Sequence, residues 1–248
     1  LCDIAQPDLD QYQPARFLQP RWTIYALGLN MTAKLVIFDC DGVLVDTEAI
    51  ANNRMAELFT DYGFAISGKD CRKLFQGKLL EDVCRQVADL ANKPYDPSFP
   101  KFVRDTVAET LADGVEPIPG VIDLVSRVDE CGVPYCVASS GSVSKMHLTL
   151  GCVGLLPFMK DRLFSAQDVG RGKPHPDVFI AAASAMNLSC EDAVILEDSV
   201  SGVQAGVASG ARVLGYAGDP FTDGVALADA GAEIFHHMDE VPALIGLR

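Results

Sequence analysis

The segment FDCDGVLVDTE, residues 38–48, constrains the fold of this chain more than any other stretch. It follows an apolar run, residues 35–38, that is typical of a strand buried on both faces in a parallel sheet. Asp39 and Asp41 come directly after this run, and because strand side chains alternate, both carboxylates begin on the same side. Gly42 then lets the backbone turn away. Two acids at the carboxyl end of a central strand repel each other, which favours a site for a cation or for chemistry.

A D-x-D-G sequence is also typical of a calcium-binding loop or of an acidic turn. Val43, Leu44 and Val45 occupy positions where an EF-hand loop needs oxygen ligands, which excludes the calcium loop. Paired carboxylates at a strand end are more often functional than structural, so we interpret this pair as part of a site.

The charge and composition of the chain exclude several classes of partner. Its 248 residues carry a formal net charge of −14, with a pI near 4.6, so we expect neither a nucleic acid nor an anionic membrane as partner. No run reaches the roughly 18 apolar residues of a membrane span. The eight cysteines form no C-x-x-C pair, which favours reduced thiols in a cytoplasmic protein. We expect a monomer.

Residues 1–30 differ from the rest of the chain. They contain three prolines and the only tryptophan, and show little periodicity, whereas Met31 resembles a natural start just ahead of the first strand. The apolar part of this stretch is too short for a secretory signal. We interpret it as an atypical N-terminal extension without a role in the chemistry. The alternative is an arm that packs on the core or on a second subunit.

The remaining pattern predicts an α/β protein with a helical insert. Apolar residues recur at helical spacing through residues 47–116, which favours an inserted cap domain made of helices, with Gly77 and Lys78 in a connector that reaches over the site. Residues 31–46 and 117–248 alternate short apolar strands with helices, the pattern of a parallel sheet covered on both sides. In such sheets ligands gather at the carboxyl ends of the strands.

Polar residues follow two further predicted strands. Ser139 ends the strand PYCVAS, and Ser140 follows it ahead of a helix. The first amides of that helix suit an anion, although Ser142 could simply cap it. Glu197 and Asp198 follow the strand AVIL, where they could equally be a solvated helix start.

Lys173 lies between Gly172 and Pro174, in a loop that the prolines make rigid, which favours an ammonium aimed at a target over an ordinary surface lysine. Four carboxylates from two strand ends would repel one another without a hard cation such as Mg²⁺. With a lysine and a serine loop beside them, the set suits phosphoryl transfer to a carboxylate.

These four segments, in this order, resemble the haloacid dehalogenase (HAD) superfamily from about residue 34 to the end of the chain. The resemblance implies a Rossmann-like core with a helical cap inserted after the first motif. It implies that Asp39 is the nucleophile that forms an aspartyl-phosphate and that Asp41 is the general acid and base. It also implies that Ser139, Ser140 and Lys173 hold the phosphate, and that Asp39, Asp41, Glu197 and Asp198 bind Mg²⁺.

The resemblance leaves the reaction open between phosphatase and phosphomutase. Asp41 favours phosphate esters, since the dehalogenases and phosphonatases of the superfamily lack this second aspartate. The motifs resemble the β-phosphoglucomutase branch, but Ala51 replaces a cap histidine of that mutase, and residues 77–80 lack its cap arginine. We therefore predict a phosphatase acting on a small phosphorylated metabolite of the sugar-phosphate class, ahead of a mutase and of a silent binding protein. Candidate substrate contacts are Thr47, Glu48, Lys78 and Lys145.

Overall fold

The computed structural model describes residues 33–75, 79–112 and 114–247. The predicted N-terminal extension, residues 1–30, and the candidate substrate residue Lys78 lie outside these ranges. Among the described helices, none combines the length and the apolar character that crossing a lipid bilayer would require.

A six-stranded parallel sheet forms the centre of the structure and confirms the predicted α/β class. Its order is β5-β4-β1-β6-β7-β8, so the strand that precedes the two aspartates is flanked on both sides. The strands of this sheet are β1 (Leu35–Phe38), β4 (Tyr135–Ser139), β5 (Leu163–Ser165), β6 (Ala193–Glu197), β7 (Arg212–Tyr216) and β8 (Glu233–Phe235). A separate antiparallel pair consists of β2 (Val45–Asp46) and β3 (Glu116–Pro117).

Strand β1 is buried on both faces, as its apolar run predicts. Val36 and Phe38 belong to one apolar cluster, Leu35 and Ile37 to the other, and all four side chains are fully buried. The helices that cover the two faces are α5 (Val121–Glu130), α6 (Val143–Cys152), α7 (Leu156–Met159), α8 (Asp177–Ala185), α9 (Val200–Ala208), α10 (Gly224–Asp229) and α11 (Val241–Leu244). Crossovers through these helices explain why all six strands run parallel.

The helical insert leaves and re-enters the core through the β2–β3 pair. Its helices are α1 (Glu48–Tyr62), α2 (Gly68–Phe75), α3 (Leu80–Leu90) and α4 (Phe99–Ala112). The sequence pattern did not reveal α2, since only Cys71 and Phe75 of its eight residues are apolar and buried. The two-residue strands are likewise too short for a period-2 pattern.

The insert has its own apolar cluster, centred on the buried Phe59. The ring of Phe59 meets those of Phe75 and Phe99 at centroid distances of 5.7 and 6.2 Å. A separate apolar cluster is what a domain needs for independent packing. This cluster supports our proposal that residues 47–116 form a cap domain.

We expect Phe59→Ala to lower the free energy of unfolding by about 3–5 kcal/mol, because it removes a ring around which α1, α2 and α4 pack. Phe102→Ala is the matched control, since this phenylalanine of α4 is 55% exposed and should cost less than about 1 kcal/mol. Urea unfolding followed by circular dichroism measures both. Equal losses for the two variants would contradict the insert's packing.

Candidate active site

The carboxyl ends of three adjacent strands bring the predicted site residues together. Asp39 follows β1, while Ser139 and Glu197 are the last residues of β4 and β6. The amide of Asp39 donates to the carbonyl of Leu196 at 2.9 Å, which fixes the position of Asp39 relative to β6. All three side chains are buried.

Lys173 reaches this edge from the loop before α8, and its side chain is only 4% exposed. Its Nζ contacts Asp39 Oδ1 at 2.6 Å and Glu197 Oε1 at 2.5 Å, and donates to the carbonyl of Ala138 at 3.2 Å. Burial by itself lowers the pKa of Lys173, but the charges of Asp39 and Glu197 outweigh it and raise the pKa above its usual value. The ammonium therefore stays charged. Because the side chain is buried, the alternative interpretation of Lys173 as an ordinary surface lysine is wrong.

Glu197 is held rigidly at both oxygens. While Oε1 binds Lys173, Oε2 accepts hydrogen bonds from the amides of Asp198 and Ser199 at 3.1 Å and from Ser199 Oγ at 3.0 Å. A Cβ on Gly202 would lie 1.9 Å from Glu197 Oε1, so the start of α9 can approach this carboxylate only with glycine there. Glu197 is thus built into the core, whereas Asp198 is partly buried and Ser199 caps α9 by accepting from the amide of Gly202 at 3.0 Å.

Asp39, Glu197 and Asp198 form a cluster in which one oxygen of each lies within 4.8 Å of the others. Burial raises the pKa of Asp39 to about 7; Lys173 opposes this shift and the charge of Glu197 adds to it. Burial, followed by the charges of Glu197 and Asp39, likewise raises the pKa of Asp198. Three carboxylates crowded in this way fit a hard divalent cation such as Mg²⁺, which prefers oxygen ligands.

Gly42 leaves the space that the Asp198 carboxylate of this cluster occupies. The backbone at Gly42 has φ +80°, a conformation that side chains rarely adopt. A Cβ on Gly42 would lie 2.0 Å from Asp198 Oδ2, so the turn after the two aspartates and the Asp198 carboxylate fit together only because residue 42 has no side chain.

Asp41 is held by two of the candidate substrate residues. Lys145 Nζ contacts its two carboxylate oxygens at 2.8 and 2.9 Å, and Thr47 Oγ1 donates to Oδ1 at 3.0 Å. Thr47 precedes α1, but its side chain makes no capping bond to that helix. Both residues therefore orient the predicted acid and base.

The serine loop after β4 is fixed by hydrogen bonds of its own. Ser139 Oγ accepts from the amide of Gly141 at 3.0 Å, and Ser165 Oγ donates to the carbonyl of Gly141 at 2.7 Å. Ser140 is exposed beside it. Ser142 accepts from the amide of Lys145 at 3.2 Å, so the capping interpretation holds for Ser142. Ser165 belongs to none of the sequence motifs, although it ends β5 at the same edge of the sheet.

Glu48 lies at the start of α1 and is half exposed. Its Oε2 accepts from Asn52 Nδ2 at 3.1 Å and lies 3.6 Å from Arg72 Nε. No sequence pattern singles out Arg72, because it belongs to the short polar helix α2 and to no motif. The contact joins the start of α1 to α2 within the insert.

Comparison with known proteins places this geometry in a family. Residues 36–216 match the family described as haloacid dehalogenase-like hydrolase. The chain is 30% identical to 6-phosphogluconate phosphatase of Escherichia coli (strain K12) over 214 residues, covering 84% of this chain and 93% of that protein. It is 28% identical to hexitol phosphatase A of the same organism, covering 74% of this chain and 83% of that protein.

A solved structure shows the same similarity in three dimensions. A HAD family hydrolase from Deinococcus radiodurans R1, crystallised with bound phosphate and sodium, superposes with a TM-score of 0.77 at 27% identity, covering 86% of this chain and 95% of that one. The chain belongs to the haloacid dehalogenase-like hydrolase family.

Proposed function

We propose that this chain is a Mg²⁺-dependent phosphatase that hydrolyses a small phosphorylated metabolite of the sugar-phosphate class through an aspartyl-phosphate on Asp39. The observation that carries the proposal is the contact of Asp39 with Lys173 at 2.6 Å within the acidic cluster. The predicted nucleophile thus lies beside a buried ammonium and two further carboxylates, which supports the proposal. Both relatives described above carry phosphatase in their names, one for a sugar acid phosphate and one for hexitol phosphates.

The residues of the site supply a nucleophile, and an acid and base, for both halves of the reaction. An oxygen of Asp39 attacks phosphorus while the bond from phosphorus to the leaving oxygen breaks, and Asp41 gives that oxygen a proton. Water then attacks the phosphorus of the aspartyl-phosphate while Asp41 takes its proton. The bond from phosphorus to the Asp39 oxygen breaks, which restores the Asp39 carboxylate and frees inorganic phosphate.

Positive charge makes attack by an anion on an anion feasible. Lys173 supplies one fixed charge beside the nucleophile, and the serine loop supplies hydroxyl and amide donors for phosphate oxygens. Asp39, Glu197, Asp198 and the backbone of Asp41 would hold Mg²⁺. When bound, Mg²⁺ adds the charge that stabilises the phosphoryl oxygens in the transition state.

A phosphomutase is the alternative, and it is less well supported. A mutase has to hold a bisphosphate and keep water from the aspartyl-phosphate. Ala51, in the first turn of α1, supplies no imidazole for this task, and both Escherichia coli relatives described above are named phosphatases. A silent binding protein would have no use for a buried lysine that contacts a nucleophilic aspartate.

The phosphatase proposal is tested with a panel of phosphorylated sugars, sugar acids and sugar alcohols, in the presence of Mg²⁺. We expect phosphate release from at least one of them and expect Asp39→Asn to lower kcat by at least about 1,000-fold, because it removes the nucleophile. Asp192→Asn is the control, since Asp192 pairs with Lys34 on the surface. Equal activity of the wild type and Asp39→Asn would contradict the assigned nucleophile.

The products separate phosphatase from mutase. With β-glucose 1-phosphate and a trace of the bisphosphate, we expect inorganic phosphate to accumulate in proportion to the substrate consumed, because water reaches the aspartyl-phosphate. Phosphorus NMR follows both products in one sample. Conversion to glucose 6-phosphate without phosphate release would establish the mutase instead.

We expect Gly42→Ala to weaken Mg²⁺ binding by about 10-fold or more, because the added Cβ displaces Asp198. Titration calorimetry with Mg²⁺ measures this directly, and Mg²⁺ activation of phosphate release measures it in the enzyme. Gly154→Ala is the matched control: φ is +74° there, yet a Cβ meets nothing within 4 Å. If Gly42→Ala bound Mg²⁺ as tightly as Gly154→Ala and the wild type, displacing Asp198 would have no effect and Asp198 would not be a ligand.

A further inference from the structure

Arg72 is a buried cation of the insert that plays no part in the chemistry proposed above. It lies on α2, and its side chain is only 10% exposed. Burying a guanidinium is costly unless carboxylates compensate its charge. Its partners therefore show what this position is for.

The main partner of Arg72 belongs to the core. Arg72 Nη1 donates to Asp219 Oδ2 at 2.8 Å, and its guanidinium lies over the ring of Phe221, 4.8 Å from the centroid. Both partners are in the loop after β7, so this ion pair joins residues 147 positions apart in sequence. A contact between α2 and that loop connects the insert directly to the core.

The loop after β7 offers a fixed anchor. The other oxygen of Asp219 accepts from the amide of Phe221 at 2.8 Å, which orients the carboxylate. The amide of Ala217 donates to the carbonyl of Phe235 at 2.8 Å. A Cβ on Gly218 would lie 2.4 Å from the carbonyl oxygen of His236, so the loop lies tightly against the core. Because this loop is fixed and Arg72 lies on α2, breaking the contact between them would let α2 move relative to the core.

A second carboxylate, inside the insert, faces Arg72 from the other side. Glu48 Oε2 lies 3.6 Å from Arg72 Nε, within ion-pair range but beyond a hydrogen bond. Among the residues that the structure describes, Arg72 Nε is the one buried side-chain nitrogen or oxygen without a hydrogen-bond partner. Arg72 thus forms a hydrogen-bonded ion pair with Asp219 of the core, whereas its contact with Glu48 of the insert is too long for a hydrogen bond.

This network adjoins the catalytic residues on two sides. Glu48 directly follows Thr47, whose hydroxyl donates to Asp41. Tyr216 ends β7 at the same edge of the sheet; burial raises the pKa of its phenol, and the charges of Asp219 and Asp198 add to the shift. Arg72 therefore joins the insert to the core beside the edge where substrate would bind.

We propose that Arg72 is a positioning residue: by binding Asp219 it holds α2, and with it the insert, over the catalytic edge, and so sets the affinity for the leaving group of the phosphorylated metabolite. The second part rests on the proposed phosphatase function. The chemical step on phosphorus belongs to Asp39 and Asp41, so the contribution of Arg72 falls on KM. A pair that only stabilised the fold would change the amount of active protein and leave KM unchanged.

The test compares Arg72→Met, Asp219→Asn, the double variant and the charge reversal Arg72→Asp with Asp219→Arg. Hydrogen exchange of residues 68–75 is measured without substrate, and kcat and KM are measured with the best phosphorylated sugar of the panel. We expect each single variant to exchange about 10-fold faster and to raise KM about 10-fold, with a kcat change below about 3-fold. The double variant should be no worse than either single one, and the reversal should recover part of both losses.

Two further variants keep the result interpretable. Arg54→Met is the matched control, since Arg54 of α1 pairs with Glu57 at 2.6 Å on the surface of the same insert. It should behave as the wild type. Arg72→Lys keeps the charge and loses the planar contact with Phe221, so it should fold even if Arg72→Met does not and should give intermediate values.

The outcomes separate the two proposals. Wild-type exchange and KM in Arg72→Met, or a lower kcat with unchanged KM, would overturn the positioning role, as would additive effects in the double variant. If the wild type released no phosphate from any substrate, the proposed function would fail, while the exchange measurement would still decide whether Arg72 holds α2 against the core.

Discussion

The buried ammonium of Lys173 is the interaction on which the site depends. A charge so far from water needs compensation, and Asp39 and Glu197 provide it at 2.6 and 2.5 Å. Asp198 completes the cluster, so three ionised carboxylates and one ammonium would leave two negative charges, which one divalent cation would balance. The same lysine thus stabilises the carboxylate edge of the sheet and keeps a positive charge beside the nucleophile.

The strongly acidic character of the chain does not conflict with an anionic substrate. The net charge of −14 counts the whole sequence, whereas within the site Lys173, Lys145 and a bound Mg²⁺ would together balance its four carboxylates. At the short distances within a buried site, local charges outweigh distant ones that water screens. The global charge therefore bears on nucleic acid and anionic membranes as partners, and the local charge on the substrate.

In the proposed enzyme the core holds the reacting groups, and the insert contacts the leaving group of the substrate. Strands β1, β4 and β6 fix the reacting groups, because their register leaves little freedom at the carboxyl edge. The insert connects to the core through the β2–β3 pair and through the Arg72–Asp219 ion pair. Substrates that share a phosphate differ in their leaving groups, so a helical insert can vary the specificity while the core chemistry stays constant.

The parallel sheet, the family and the catalytic edge of the sheet could all be predicted from the residue pattern. The residues predicted to meet at that edge are Asp39, Ser139, Lys173, Glu197 and Asp198. Apolar strands that end in polar residues carry this information locally, because parallel strands place their carboxyl ends together. Only the tertiary structure revealed that Thr47 and Lys145 hold Asp41, that Ser165 supports the serine loop, and that Arg72 reaches Asp219. These contacts join residues that no local pattern relates, since their partners are set by how the insert and loops pack on the sheet.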